Sequence, residues 1–81
     1  ADAEVDYIWQ KAGRIYPIEV KSGNNAKLQS LQVFVDNSDS PVTAIRIWNE
    51  PFSVNDLITP MGKKAYRLIN IPLIFDSYLH I

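Results

Sequence analysis

Residues 4–21, EVDYIWQKAGRIYPIEVK, leave little choice of local structure. Over residues 4–10, Val5, Tyr7 and Trp9 fall on one face and Glu4, Asp6, Ile8 and Gln10 on the other, which is the period of a strand. The KAGR segment supplies a turn around Gly13, and IYPIEVK resumes the alternation, so the spacing predicts a β-hairpin. Pro17 has no N–H for a ladder, which places it at an unpaired edge or an irregular strand start.

Loop length then decides which side chains face each other. A two-residue loop, Ala12-Gly13, or a four-residue loop, Lys11 to Arg14, sets Asp6 opposite Glu19 and Glu4 opposite Lys21. A three-residue loop turns Asp6 to the other face. The apolar pattern favours the first case, because Val5, Tyr7 and Trp9 then share a face with Ile18 and Val20.

After the hairpin, SGNN breaks the strand, and Asn24 or Asn25 is a suitable N-cap for a helix over AKLQSLQVFVDN. Leu28, Leu31 and Val35, with Phe34 beside them, make an apolar stripe that reads as core. A turn at NSDSP precedes the β-branched run VTAIRIW, residues 42–48, so a strand follows and the helix crosses one face of the sheet. Residues 49–64, with Pro51, Pro60 and Gly62, read as loop in which SVND caps one short helical turn. AYRLINI gives a fourth strand, and PLIFDSYLHI opens with a proline suited to the first turn of a terminal helix. The expected fold is α/β, a small mixed sheet in the order β-β-α-β-β-α.

At 81 residues, 47% hydrophobic and 21% charged, the chain makes one small domain over residues 1–81. A domain of this size buries only about 60–65% of its unfolded surface, so its core is thin and a partner surface is expected. No cysteine is present to add a disulfide or a thiolate metal site, and the one histidine, His80, reads as a solvated residue near the C-terminus. No apolar run approaches the ~20 residues of a membrane helix and no signal segment is evident, so the expectation is no membrane partner and a cytoplasmic location. A net charge of −1 argues against nucleic-acid binding by bulk electrostatics; any phosphate contact is local. The chain starts at Ala1 without methionine and enters a strand pattern almost at once, which reads as a piece of a longer protein.

Two carboxylates facing each other repel unless something positive lies between them. A divalent cation is one answer: Mg²⁺ takes oxygen ligands, commonly one or two carboxylates with water and substrate phosphate. Such an ion polarises a phosphoryl oxygen and activates a bound water. Lys21, two residues from Glu19 on the same face, is placed to orient that nucleophile or to stabilise charge on phosphorus. The plainer alternative is a solvated cross-strand set of salt bridges, Glu4 with Lys21 and Asp6 nearby, contributing about 0–1 kcal/mol.

Asp6, a twelve-residue spacer and IEVKSG in a hairpin before a helix resemble the core of the PD-(D/E)XK nuclease superfamily, a restriction-endonuclease-like fold. EVDYIW, PIEVKSG, SLQVF, AIRI and INIPLIF, in that order, further resemble the C-terminal domain of unknown function of bacterial and archaeal AAA-type ATPases, in which a P-loop module precedes a nuclease-like tail. The resemblance implies Asp6 and Glu19 as metal ligands, the Val20 carbonyl as a third, Lys21 as the catalytic lysine and Mg²⁺ as cofactor. Ser22, Lys27 and Ser30 are weaker candidates near the same mouth. Two departures stand out: an acid-bearing helix before the first strand is missing unless Glu4 substitutes, and G-x-x-x-x-G-K-[ST] is absent, so this stretch is not the ATP-hydrolysing part. The implied partners are the N-terminal ATPase module and DNA. A different class of function, a non-catalytic interaction or homodimerisation module, is suggested by the aromatics Trp48, Phe52 and Tyr66 near the long loop.

Overall fold

The computed structural model describes residues 5–22 and 27–73. Within them lie β1 (Tyr7–Lys11), β2 (Arg14–Val20), α1 (Gln29–Asp36), β3 (Thr43–Trp48), β4 (Ser53–Ile58) and β5 (Ala65–Pro72). The strands form one mixed sheet in the order β1-β2-β3-β5-β4, with β1 and β4 antiparallel to their neighbours and β2, β3 and β5 mutually parallel.

The hairpin turns on two residues. Ala12 and Gly13 both have positive φ, 53° and 76°, the pattern of a type I′ turn that matches the twist of the flanking strands. Tyr7 therefore pairs with Ile18 and Trp9 with Tyr16, the register expected from the alternation. The chain leaves that register sooner than expected: β1 begins at Tyr7, a bend falls at Asp6, and Val5 packs against the core on the helix side. Pro17 lies in an interior strand, fully buried, and not at a free edge. It falls in the break between the Ile15–Val42 bridge and the parallel ladder that starts at Ile18–Ile45, where a missing N–H costs no bond.

α1 starts later than the cap pattern suggests. Leu28 occupies the N-cap position without a side-chain bond, and Asn24 and Asn25 lie outside the described residues. The helix packs on one face of the sheet, where Leu31 and Val35 meet Val42, Ala44, Tyr66 and Leu68. Full burial of a side chain such as Leu31 or Leu68 contributes about 1.5–3 kcal/mol. Tyr66, expected near an exposed loop, belongs to this core, whereas Phe52 is exposed.

Residues 49–64 hold a strand in place of the expected loop and helical turn. β4 pairs antiparallel with β5 from Ser53–Asn70 to Ile58–Ala65, so the described order is β-β-α-β-β-β. The terminal helix expected over residues 72–81 falls outside the described residues beyond Leu73; Pro72 itself ends β5.

The β4–β5 connection is tied to α1. Thr59, fully buried, donates to Asp36 Oδ1 at 2.6 Å and accepts from the Lys64 amide at 2.9 Å. The Gly62 amide reaches Asp36 Oδ2 at 3.3 Å, and a methyl group at that position would collide with the same carboxylate. One acid at the helix C-terminus thus fixes where the edge strand returns to the sheet.

Candidate functional site

Aligned residues of neighbouring strands share a face, so the registers assign each side chain. On the helix-covered face, Glu19 of β2 stands beside Arg46 of β3, Arg46 beside Asn70 of β5, and Asn70 beside Ser53 of β4. These four polar residues form one rung across four strands, next to the apolar rung of Ala44 and Leu68. All but Ser53 are buried, with Glu19 at 8%, Arg46 at 6% and Asn70 at 2% exposure.

The rung is bonded along most of its length. Arg46 Nε donates to Asn70 Oδ1 at 2.8 Å, and Asn70 Nδ2 donates to Ser53 Oγ at 3.0 Å. The Arg46 guanidinium also lies 3.5 Å from the centroid of the Trp48 ring, a cation–π contact strengthened by desolvation. Burial holds the Arg46 pKa below its ordinary value, partly offset by attraction to Tyr66 and Glu19.

At the β2 end, Lys21 Nζ approaches Glu19 Oε1 at 3.3 Å. The second oxygen, Glu19 Oε2, is buried and has no hydrogen-bond partner. Trp48 Nε1 and Tyr66 OH are in the same condition on this face. An acceptor left dry and unpaired costs about 1–3 kcal/mol, more when it is charged.

Asp6 arrives by a different route from the one expected. Its carboxylate accepts from the Val20 amide, at 2.8 Å to Oδ2, and so replaces a backbone carbonyl where the β1–β2 ladder ends. The fold brings Asp6 to the residue next to Glu19 as an acceptor on backbone, not as a ladder partner. Lys21 continues β2 toward β3, its amide bonded to the Ile47 carbonyl at 2.8 Å. Of the weaker candidates, Ser22 and Lys27 are exposed and Ser30 is half-buried in the first turn of α1. Glu4 lies outside the described residues.

The described residues contain no cluster of three or more His, Cys, Asp or Glu side chains able to hold a metal. The donor set for a hard cation is smaller: the second oxygen of Asp6, the unpartnered Glu19 Oε2 and the Val20 carbonyl. Three hard oxygens fit Mg²⁺, which keeps several waters and rarely asks for an all-protein cage. The orphaned Glu19 oxygen is the observation that supports this fit.

Sequence reasoning passed over Arg46, Asn70 and Ser53. Their signal was present, since Arg46 interrupts AIRIW and Asn70 interrupts LINI at matching positions of two buried strands. A charged or amide side chain inside a β-branched run on a covered face needs a partner. Each here is the other's.

A family model described as a domain of unknown function, DUF4143, matches residues 1–70. No curated protein and no solved structure gives a match.

Proposed function

Because the chain belongs to the DUF4143 family, whose activity is not established, function has to come from the site, and we propose metal-dependent phosphodiester hydrolysis at Asp6, Glu19 and Lys21. In this reading the domain is the nuclease-like tail of an AAA-type ATPase and acts on DNA. The carrying observation is the buried Glu19 carboxylate, with one oxygen held by Lys21 at 3.3 Å and the other unpartnered.

Asp6, Glu19 and the Val20 carbonyl would hold Mg²⁺, which when bound polarises a phosphoryl oxygen and lowers the pKa of water. The protein's own groups do the rest. Glu19 fixes the ammonium of Lys21 in place, and Lys21 presents its protons where charge grows on the phosphoryl oxygens during in-line attack. The Val20 amide orients Asp6 through the 2.8 Å bond.

Calorimetric titration with Mn²⁺ or Mg²⁺, together with plasmid and branched-DNA cleavage, tests this. Wild type binds at millimolar metal or better, Glu19→Gln loses at least about tenfold in affinity, and Lys21→Ala keeps the metal while cleavage drops by about 10²-fold or more. Absence of binding at millimolar metal in the full chain would refute the reading.

A second reading is favoured by the opposite face of the sheet. Tyr7, Ile18, Ile45, Ile69 and Val54 form one apolar rung across all five strands, and Val20, Ile47 and Ile71 form another across three. Among the described residues no helix covers them, and Tyr7 and Val54 are 65% and 48% exposed. A face of this kind suits a non-catalytic module that docks on the ATPase or on a second copy. Deleting the domain from the parent should then impair assembly, and light scattering should show association; unchanged ATPase activity and assembly would refute it.

A further inference from the structure

Beside the candidate metal position the protein has already placed a fixed cation. Arg46 sits next to Glu19 in the parallel register, buried to 6% exposure, held by Asn70 at 2.8 Å and by the face of Trp48 at 3.5 Å. With Lys21 at 3.3 Å from Glu19, two cations and the two carboxylates of Asp6 and Glu19 balance to zero before any ion enters. A divalent ion arriving alone leaves two uncompensated positive charges beside a dry guanidinium, and burying unpaired charge is expensive. An anionic phosphodiester arriving with it removes part of that excess.

Resting on the metal-dependent reading above, we propose that Arg46 makes metal binding conditional on the anionic substrate: it weakens the affinity for a divalent ion alone and couples ion and phosphodiester into one event. By linkage, the factor by which a phosphodiester raises the metal affinity equals the factor by which the metal raises the phosphodiester affinity. Arg46 acts through charge, while the bonded rung of Asn70 and Ser53 keeps that charge from swinging away. Lys21, at the end of β2 and less deeply buried, has freedom to follow the substrate; Arg46, clamped on ring and amide, does not.

The test is Mn²⁺ affinity, read by calorimetry or by the free-ion EPR signal, with and without a phosphorothioate-protected DNA duplex. In wild type the duplex should tighten Mn²⁺ by tenfold or more. Arg46→Gln, which keeps a donor for Asn70 but removes the charge, should tighten Mn²⁺ alone by about tenfold and bring the coupling close to one. Arg46→Lys, which keeps the charge and loses the stacking, should stay near wild type. Folding of each variant is checked by circular dichroism.

An Arg46→Gln chain that is folded and binds Mn²⁺ no more tightly than wild type overturns the proposal while leaving the metal site standing. If Arg46→Gln does not fold, the wild-type comparison decides, because a metal affinity indifferent to the duplex overturns the proposal as well. Failure of both wild type and Arg46→Gln to bind Mn²⁺ with the duplex present removes the metal-dependent reading and this one together.

Discussion

The two faces of the sheet are built from the same strands and have opposite characters. On the helix side, three rungs run from the buried Val42 and Tyr66 through Ala44 and Leu68 to the polar set Glu19, Arg46, Asn70 and Ser53. On the other side the corresponding positions are isoleucine and valine, and nothing described lies above them. The usual expectation is a polar open face and an apolar covered one. Here charge is placed where it is costly and apolar surface where it is unshielded. Natural sequences break local rules of this kind chiefly at functional positions. The covered polar rung is therefore read as a site, and the open apolar rungs as a surface awaiting a partner.

The largest effect that tests this contrast comes from the core. Leu68→Ala, at 1% exposure against α1, should cost about 2–5 kcal/mol in urea denaturation, whereas Val54→Ala, on the open face at 48%, should change stability by no more than about 0.5 kcal/mol. A Val54 substitution as damaging as that of Leu68 would mean that the open face is covered in solution. Next comes the tie between helix and edge strand. Asp36→Ala leaves the buried Thr59 hydroxyl without its acceptor and should cost about 1–3 kcal/mol. Gly62→Ala should be destabilising through collision with the same carboxylate, and the Asp36→Ala background should relieve that cost.

The hairpin offers an effect of the opposite sign. Ala12 is held at φ 53°, where an L residue with a Cβ is strained by about 1 kcal/mol, and asparagine tolerates that region better. Ala12→Asn should raise the thermal midpoint without altering either face; a lower midpoint would mean that the turn changes type on substitution.

These comparisons also show where the sequence was informative. The hairpin register was legible because alternation and turn length constrain each other locally, and the two-residue solution was one of those the pattern allowed. β4 was not, because SVND carries two residues that strands disfavour, and its conformation is decided by pairing with β5 rather than by its own propensity. Asp6 and Glu19 were legible as neighbours. The bend that turns Asp6 onto the Val20 amide was not, since it depends on Val5 finding the core beneath α1. The polar rung is non-local for the same reason: Glu19, Arg46 and Asn70 are brought together by parallel pairing, which no period within one strand encodes.

The smallest expected effect separates a charge that shapes a site from one that merely decorates the sheet. Asp56 and Arg67 face each other across β4 and β5 on the open side, bonded at 2.9 Å with both side chains largely exposed. The hydrogen bond to Arg67, then its charge, holds the Asp56 carboxyl below its ordinary pKa. A folded-state value below the unfolded one gives stability that is present above the unfolded carboxyl range and is lost as pH falls through the folded value, so the window lies below about pH 4. Arg67 is raised by the same bond, and its contribution would be lost only far above neutrality. Thermal midpoints of wild type and Asp56→Asn should differ slightly near pH 7, converge as the pH drops below 4, and differ less in high salt, since an exposed pair is screened. A gap that widens on acidification, or that salt leaves untouched, would mean that the pair is shielded from water, and hence that the open face has acquired a cover over β4 and β5.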